Sequence, residues 1–170
     1  CAPYDADRDG INLGEAAAVC ILSAEKGDST NAVVGGGTSN DANHISGPSR
    51  TGDGLQIAIE RALKNAGKSV NEIDFISAHG TATSYNDEME SKAFALSKLD
   101  DKPIHSLKGY FGHTLGAAGL LESIMCMESL DSQSLPASLG YKNEGTSIPL
   151  QVVGKARNQV VGSCIKTSSG

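Results

Sequence analysis

The sequence has no Trp, only three Phe and four Tyr among its 170 residues. With so few rings, the core must rest on Ala, Val, Ile and Leu, and 20 Gly permit close backbone approaches. Packing of that kind predicts an α/β layered fold. Basic charge is also scarce: 14 Lys and Arg stand against 20 Asp and Glu, a net charge of −6. The two signs are interspersed, with no basic stripe among aromatics, so nothing supports nucleic-acid binding. No apolar run is long enough to span a bilayer, and the opening Cys1-Ala-Pro-Tyr-Asp5 carries no secretory pattern. The four Cys (Cys1, Cys20, Cys126, Cys164) show neither CxxC nor zinc spacing. Cys20, Cys126 and Cys164 sit in apolar segments and read as buried free thiols, which predicts a cytoplasmic protein.

What is present is a succession of strand–loop–helix units, enough for one domain or a large part of one. Residues 14–24 read as a buried strand and residues 32–37 as a second, ending in a glycine run. The polar stretch 38–52 reads as a loop. Apolar spacing predicts a helix over 53–65, stopped at Gly67. Short strands are expected at 73–78 and 104–107, helices at 86–99 and 115–130, and a closing pair of strands at 150–153 and 160–165.

Two stretches carry the chemistry: His79-Gly80-Thr81-Ala82-Thr83, and Lys108 through Gly119 with His113 at its centre. Each sets ionisable side chains among small residues beside an expected helix start, where free N–H groups suit an anion. Two His and one Lys so placed suggest a site that holds negative charge developing on an oxygen. Lys108 ends an apolar strand, where it would be partly buried, and so needs a partner. Glu122, flanked by Leu121 and Ile124 on the next helix, supplies either a plain buried ion pair or the support that orients the site. Thr81 and Thr83 reach a ligand tail if the segment is extended, or cap a helix otherwise. The acidic run Asp87–Glu90 is explained by the helix dipole alone. His44 falls in the polar loop as a surface residue, and His105 has no partner that the sequence names. No convincing nucleophile accompanies these groups.

In combination these residues resemble the C-terminal half of the β-ketoacyl-acyl carrier protein synthases, the condensing enzymes of fatty acid and polyketide synthesis. The resemblance runs over almost the whole chain, through Asp5–Glu15, Asn40–Pro48, His79–Thr83 and Lys108–Gly119. It implies a thiolase-like α/β fold, built of two related halves each with a mixed five-stranded sheet flanked by helices. Residues 1–170 would form the C-terminal domain, without the half bearing the nucleophilic Cys and without the final Gly- and Phe-rich loop. The implied reaction is the decarboxylative Claisen condensation of malonyl-carrier with an acyl thioester. In it His79 and His113 hold the thioester carbonyl while carbon dioxide leaves, Lys108 holds the local electrostatics, and Glu122 supports that network. Thr81 and Thr83 would bind the phosphopantetheine arm.

The implied partners are an acyl carrier protein and, for the full-length protein, a second copy in a homodimer; no cofactor of the protein's own is expected. A structural cation near Ser77, Glu90 and Glu122, held by some members, is a weaker implication. The same resemblance leaves other readings open: a partner or chain-length subunit without the nucleophile, or a non-catalytic binding or assembly module of the same fold. None of the four Cys occupies the family's nucleophile motif, so the isolated chain is expected to be inactive.

Overall fold

The computed structural model describes residues 1–43 and 47–169. Its centre is a sheet of short strands, β1 (Phe75–Ser77), β2 (Pro103–His105), β4 (Gln151–Val152) and β6 (Cys164–Lys166), in the order β4-β2-β1-β6. Every pairing in it is parallel. Two further strands, β3 (Ser134–Leu135) and β5 (Arg157–Asn158), form a separate antiparallel pair. The helices are α1 (Asp53–Ala66), α2 (Ser84–Leu96), the short α3 (Lys108–Phe111) and α4 (Ala118–Ser132).

Parallel strands need crossovers, and helices in those crossovers cover both faces of the sheet. The period of two along β1 shows the result. Ile76 packs into a core with Ile59 of α1, Phe94 of α2 and Ile104 of β2. Its neighbour Phe75 points the other way, into a core with Cys126 of α4, Leu135 and Val161. All three β1 residues are fully buried, which is why this strand reads as a continuous apolar run leading into a polar end. Chain reversals then leave β1 and β2 with their carboxyl ends side by side, where open α/β sheets place ligands.

The structure corrects several expectations. Residues 14–24 and 32–37 form no strand among the described residues, and their apolar side chains are exposed: Val19 is 86% and Ile21 95% accessible. A continuous apolar run reads as a buried strand, but a strand also needs a ladder partner for its N–H and C=O groups, and among the described residues only the Gly14 N–H finds a backbone acceptor, the His113 carbonyl. Cys20 is exposed for the same reason. The glycine run 35–37 lies against α1: a Cβ on Gly37 would come within 2.2 Å of the Ala58 carbonyl oxygen.

The central sheet has four described strands rather than five, and it is purely parallel. The two strands expected to close the fold as a pair instead add to opposite sides, β4 beside β2 and β6 beside β1. The helix expected from residue 115 begins as a single 3₁₀ turn, Leu115–Ala117, before α4. No helix among the described residues is long and apolar enough to cross a membrane.

Candidate active site

The strand β1 delivers His79 to a tight turn. Gly80 has φ 42° and Ala82 φ 60°, so residues 79–83 curl back rather than run extended. Only Gly fits at position 80, where a Cβ would lie 2.5 Å from that of Ser106. Within this turn the Thr81 and Thr83 hydroxyls meet at 2.9 Å. Thr83 is also the N-cap of α2, accepting from the Asn86 N–H. Both threonines, His79 and His113 line one cavity of about 750 Å³, together with Tyr85 and Asn86 of α2.

The turn is held from behind by two carboxylates that the helix dipole does not account for. Glu90 is fully buried and accepts the backbone N–H of His79 at 2.9 Å and of Gly80 at 2.7 Å. It also accepts from the Tyr4 hydroxyl, Asn86 Nδ2 and the Thr167 hydroxyl. Asp87, equally buried, accepts the N–H of Thr81 and of Tyr4. The arm Tyr4–Arg8 is drawn in by this pair, with Arg8 Nε 3.8 Å from Asp87. The functional use of Asp87 and Glu90 escaped the sequence because their partners are backbone groups of a turn whose shape propensity does not reveal.

Lys108 does not end a strand; it opens the short α3 and is 1% exposed. Its Nζ lies 2.7 Å from Glu122 Oε1. The other Glu122 oxygen lies 2.6 Å from Lys166 Nζ on β6. Two ammonium groups thus share one buried carboxylate, leaving an excess of positive charge behind the histidines. Burial pulls the Lys108 ammonium below its usual value, opposed by Glu122. Lys166 is the residue that sequence reasoning missed. It is remote from Glu122 along the chain, and only the β1–β6 pairing brings it in.

The His79 and His113 rings stand edge to face with centroids 5.0 Å apart. His113 Nδ1 accepts the N–H of Leu115 at 3.1 Å. That bond fixes the tautomer with the proton on Nε2, leaving an N–H donor. His79 Nδ1 is buried without a partner. Burial first, then the charges of Lys108 and Lys166, push the His79 imidazole down to about 2. Burial and Lys108 lower His113 as well. Both rings are therefore neutral at physiological pH, the state in which an imidazole N–H donates to an oxygen without carrying charge of its own.

His105, expected without a partner, is fully buried, has no hydrogen bond to either ring nitrogen, and stacks against Phe75 at 5.5 Å. Burial pushes it down to about 4. His44 lies outside the described residues. The cation expected near Ser77, Glu90 and Glu122 does not fit these groups. Glu90 is occupied by five donors from the chain itself and Glu122 by two lysines.

The buried imidazoles make stability depend on pH. The unfolded chain protonates His79 and His105 below about pH 6.5 whereas the native chain does not, so stability falls as pH drops through that value. Asp87 acts oppositely: burial pushes its carboxyl up to about 6, so the native state takes up a proton first. The net expectation is a loss of about 2 kcal/mol between pH 7 and pH 5, read from urea midpoints. A midpoint that rises on acidification would contradict neutral burial of these rings.

With this geometry established, comparison with known proteins decides the family. The family model described as "Beta-ketoacyl synthase, C-terminal domain" matches residues 31–142. The chain belongs to this family. A 3-oxoacyl-[acyl-carrier-protein] synthase 2 of Mycobacterium leprae is 36% identical over 165 residues, 92% of this chain and 39% of that protein. Among solved structures, a ketosynthase in complex with its chain length factor from Xenorhabdus doucetiae superposes with a TM-score of 0.88 at 35% identity. That match covers 99% of this chain and 42% of the other. A type II polyketide acyl-carrier protein in complex with its ketosynthase gives 0.76 at 30% identity, over 81% and 35% of the two chains. The fold is thus that of the thiolase-like ketosynthases, and the chain spans about two fifths of the length of these relatives.

Proposed function

We propose that this β-ketoacyl synthase domain supplies the decarboxylation and oxyanion half-site of a 3-oxoacyl-[acyl-carrier-protein] synthase. The observation that carries the reading is the His79–His113 pair, two neutral rings 5.0 Å apart at one cavity with the Lys108–Glu122–Lys166 cluster behind them. The phosphopantetheine arm of malonyl-carrier enters along Thr81 and Thr83. The thioester carbonyl oxygen takes N–H donors from both imidazoles. As the carbon–carbon bond to the carboxylate breaks, carbon dioxide leaves and its electron pair becomes the enolate. Charge then gathers on the oxygen that the imidazoles hold, within the positive field of two lysines.

The enolate carbon attacks an acyl group carried as a thioester on a Cys from the remainder of the full-length protein, and that thiolate leaves. The protein's own part is orientation and charge stabilisation; the arm belongs to the carrier. The homodimer and the cytoplasmic setting belong to the same proposal. The first is suggested by the family and the second by the free thiols.

The experiment supplies the full-length parent with acyl thioester and malonyl-carrier. A 3-oxoacyl product and carbon dioxide are expected from the parent, and neither from residues 1–170 alone. Product from residues 1–170 alone would refute the division of the site. A parent that yields neither would refute the condensing reading and leave a binding subunit.

A further inference from the structure

Two thiols outside the candidate site face one another across a layer of the fold. Cys126 lies on α4 and is buried, and Cys164 lies on β6 and is partly buried. Both pack into the core on the Phe75 face of the sheet. The register of the two elements accounts for their meeting. Glu122 and Lys166, four residues back on α4 and two residues on along β6, are in contact at 2.6 Å. Four residues along a helix advance about 6 Å and two along a strand about 6.6 Å. The next facing pair on the same two surfaces is therefore Cys126 with Cys164.

We propose that Cys126 and Cys164 form an oxidisable dithiol, a modification site that closes to an intramolecular disulfide under mild oxidation by a diazene or disulfide reagent. The step balances. One thiolate attacks the oxidant, forming a sulfur–nitrogen or mixed-disulfide bond. The second thiolate then displaces the reduced reagent, leaving one S–S bond. Two electrons and two protons pass to the oxidant, which departs as a hydrazine or as two thiols. Beside Cys164 the Cys126 thiol is lowered, and beside Cys126 the Cys164 thiol is raised. One sulfur is thus eased toward its thiolate, and the other packs against the same core cluster. A disulfide requires converging Cβ vectors, and the facing register of α4 and β6 sends both side chains into the same core.

The consequence reaches the candidate site. A covalent link here would tie α4, which carries Glu122, to β6, which carries Lys166 and continues to Thr167. The exposed Cys20 and the partly exposed Cys1 have no comparable neighbour among the described residues.

The test oxidises the full chain with diamide, blocks remaining thiols with N-ethylmaleimide after unfolding, and maps the peptides by mass spectrometry. The expected result is a peptide joining Cys126 to Cys164 in most molecules, short of two hydrogens and restored by dithiothreitol. Cys164→Ala and Cys126→Ala should each abolish it and leave the other Cys alkylated. Recovery of both residues as separate alkylated peptides, while Cys20 has reacted with the reagent, would overturn the proposal. A cross-link of either residue to Cys1 or Cys20 instead would do the same.

Discussion

His79→Ala and His113→Ala in the full-length parent should each slow malonyl-carrier decarboxylation by about 10²–10³-fold, the usual cost of one oxyanion donor. The expectation follows from the proposed role, in which each ring offers one N–H to the same oxygen; the rings stand 5.0 Å apart and line one cavity. His113 should show the cleaner effect. It is held by a single bond from the Leu115 N–H, so its removal leaves little behind it disturbed. His79 is buried in the turn, so its loss also opens a void there. Release of labelled carbon dioxide from carboxyl-labelled malonyl-carrier measures both. The double variant should fall less than the product of the two single losses, because residues acting on one oxygen are not additive. Normal decarboxylation by either single variant would remove the assignment.

Glu90→Ala is expected to destabilise the chain by about 3–5 kcal/mol, the range for removing one side of a buried, fully bonded charge network. Five donors lose their acceptor at once: the N–H groups of His79 and Gly80, the Tyr4 and Thr167 hydroxyls, and Asn86 Nδ2. The His79 N–H also reaches the Thr167 hydroxyl at 3.2 Å and Asn86 Nδ2 reaches Asp87 at 3.4 Å, but among the described residues no second acceptor serves the Gly80 N–H or the Tyr4 and Thr167 hydroxyls. Glu90→Gln should cost less, since the amide keeps one acceptor oxygen. A urea or thermal midpoint for Glu90→Ala within about 0.5 kcal/mol of the unaltered chain, the range of ordinary surface changes, would show that the turn is held by something else.

The same residue shows where the sequence could be read and where it could not. His79, Lys108 and His113 stood out because ionisable groups among small residues beside expected helix starts are uncommon and chemically specific. The Lys108–Glu122 pair follows from burial alone, since a lysine that deep needs a counter-charge. Lys166 was not legible, because its place depends on which strand pairs with β1. Glu90 and Asp87 looked like ordinary first-turn acids, and only the turn at Gly80 aims backbone N–H groups at them. The two helices with apolar faces, α1 and α4, fell close to their expected bounds. The runs at 14–24 and 32–37 failed because an apolar run reports a strand's preference and says nothing of its partner.

The central claim is that two neutral imidazoles donate to an oxygen that becomes negative. The pH dependence of carbon dioxide release by the full-length parent tests it most directly. The His79 value of about 2, with His113 lowered as well, predicts no inflection centred on the ordinary histidine value of about 6.5. A rate that rises as the pH falls through 6.5 would show that a charged imidazolium is required. A fall centred there would show that the rings titrate as exposed histidines do. Either outcome would contradict the account.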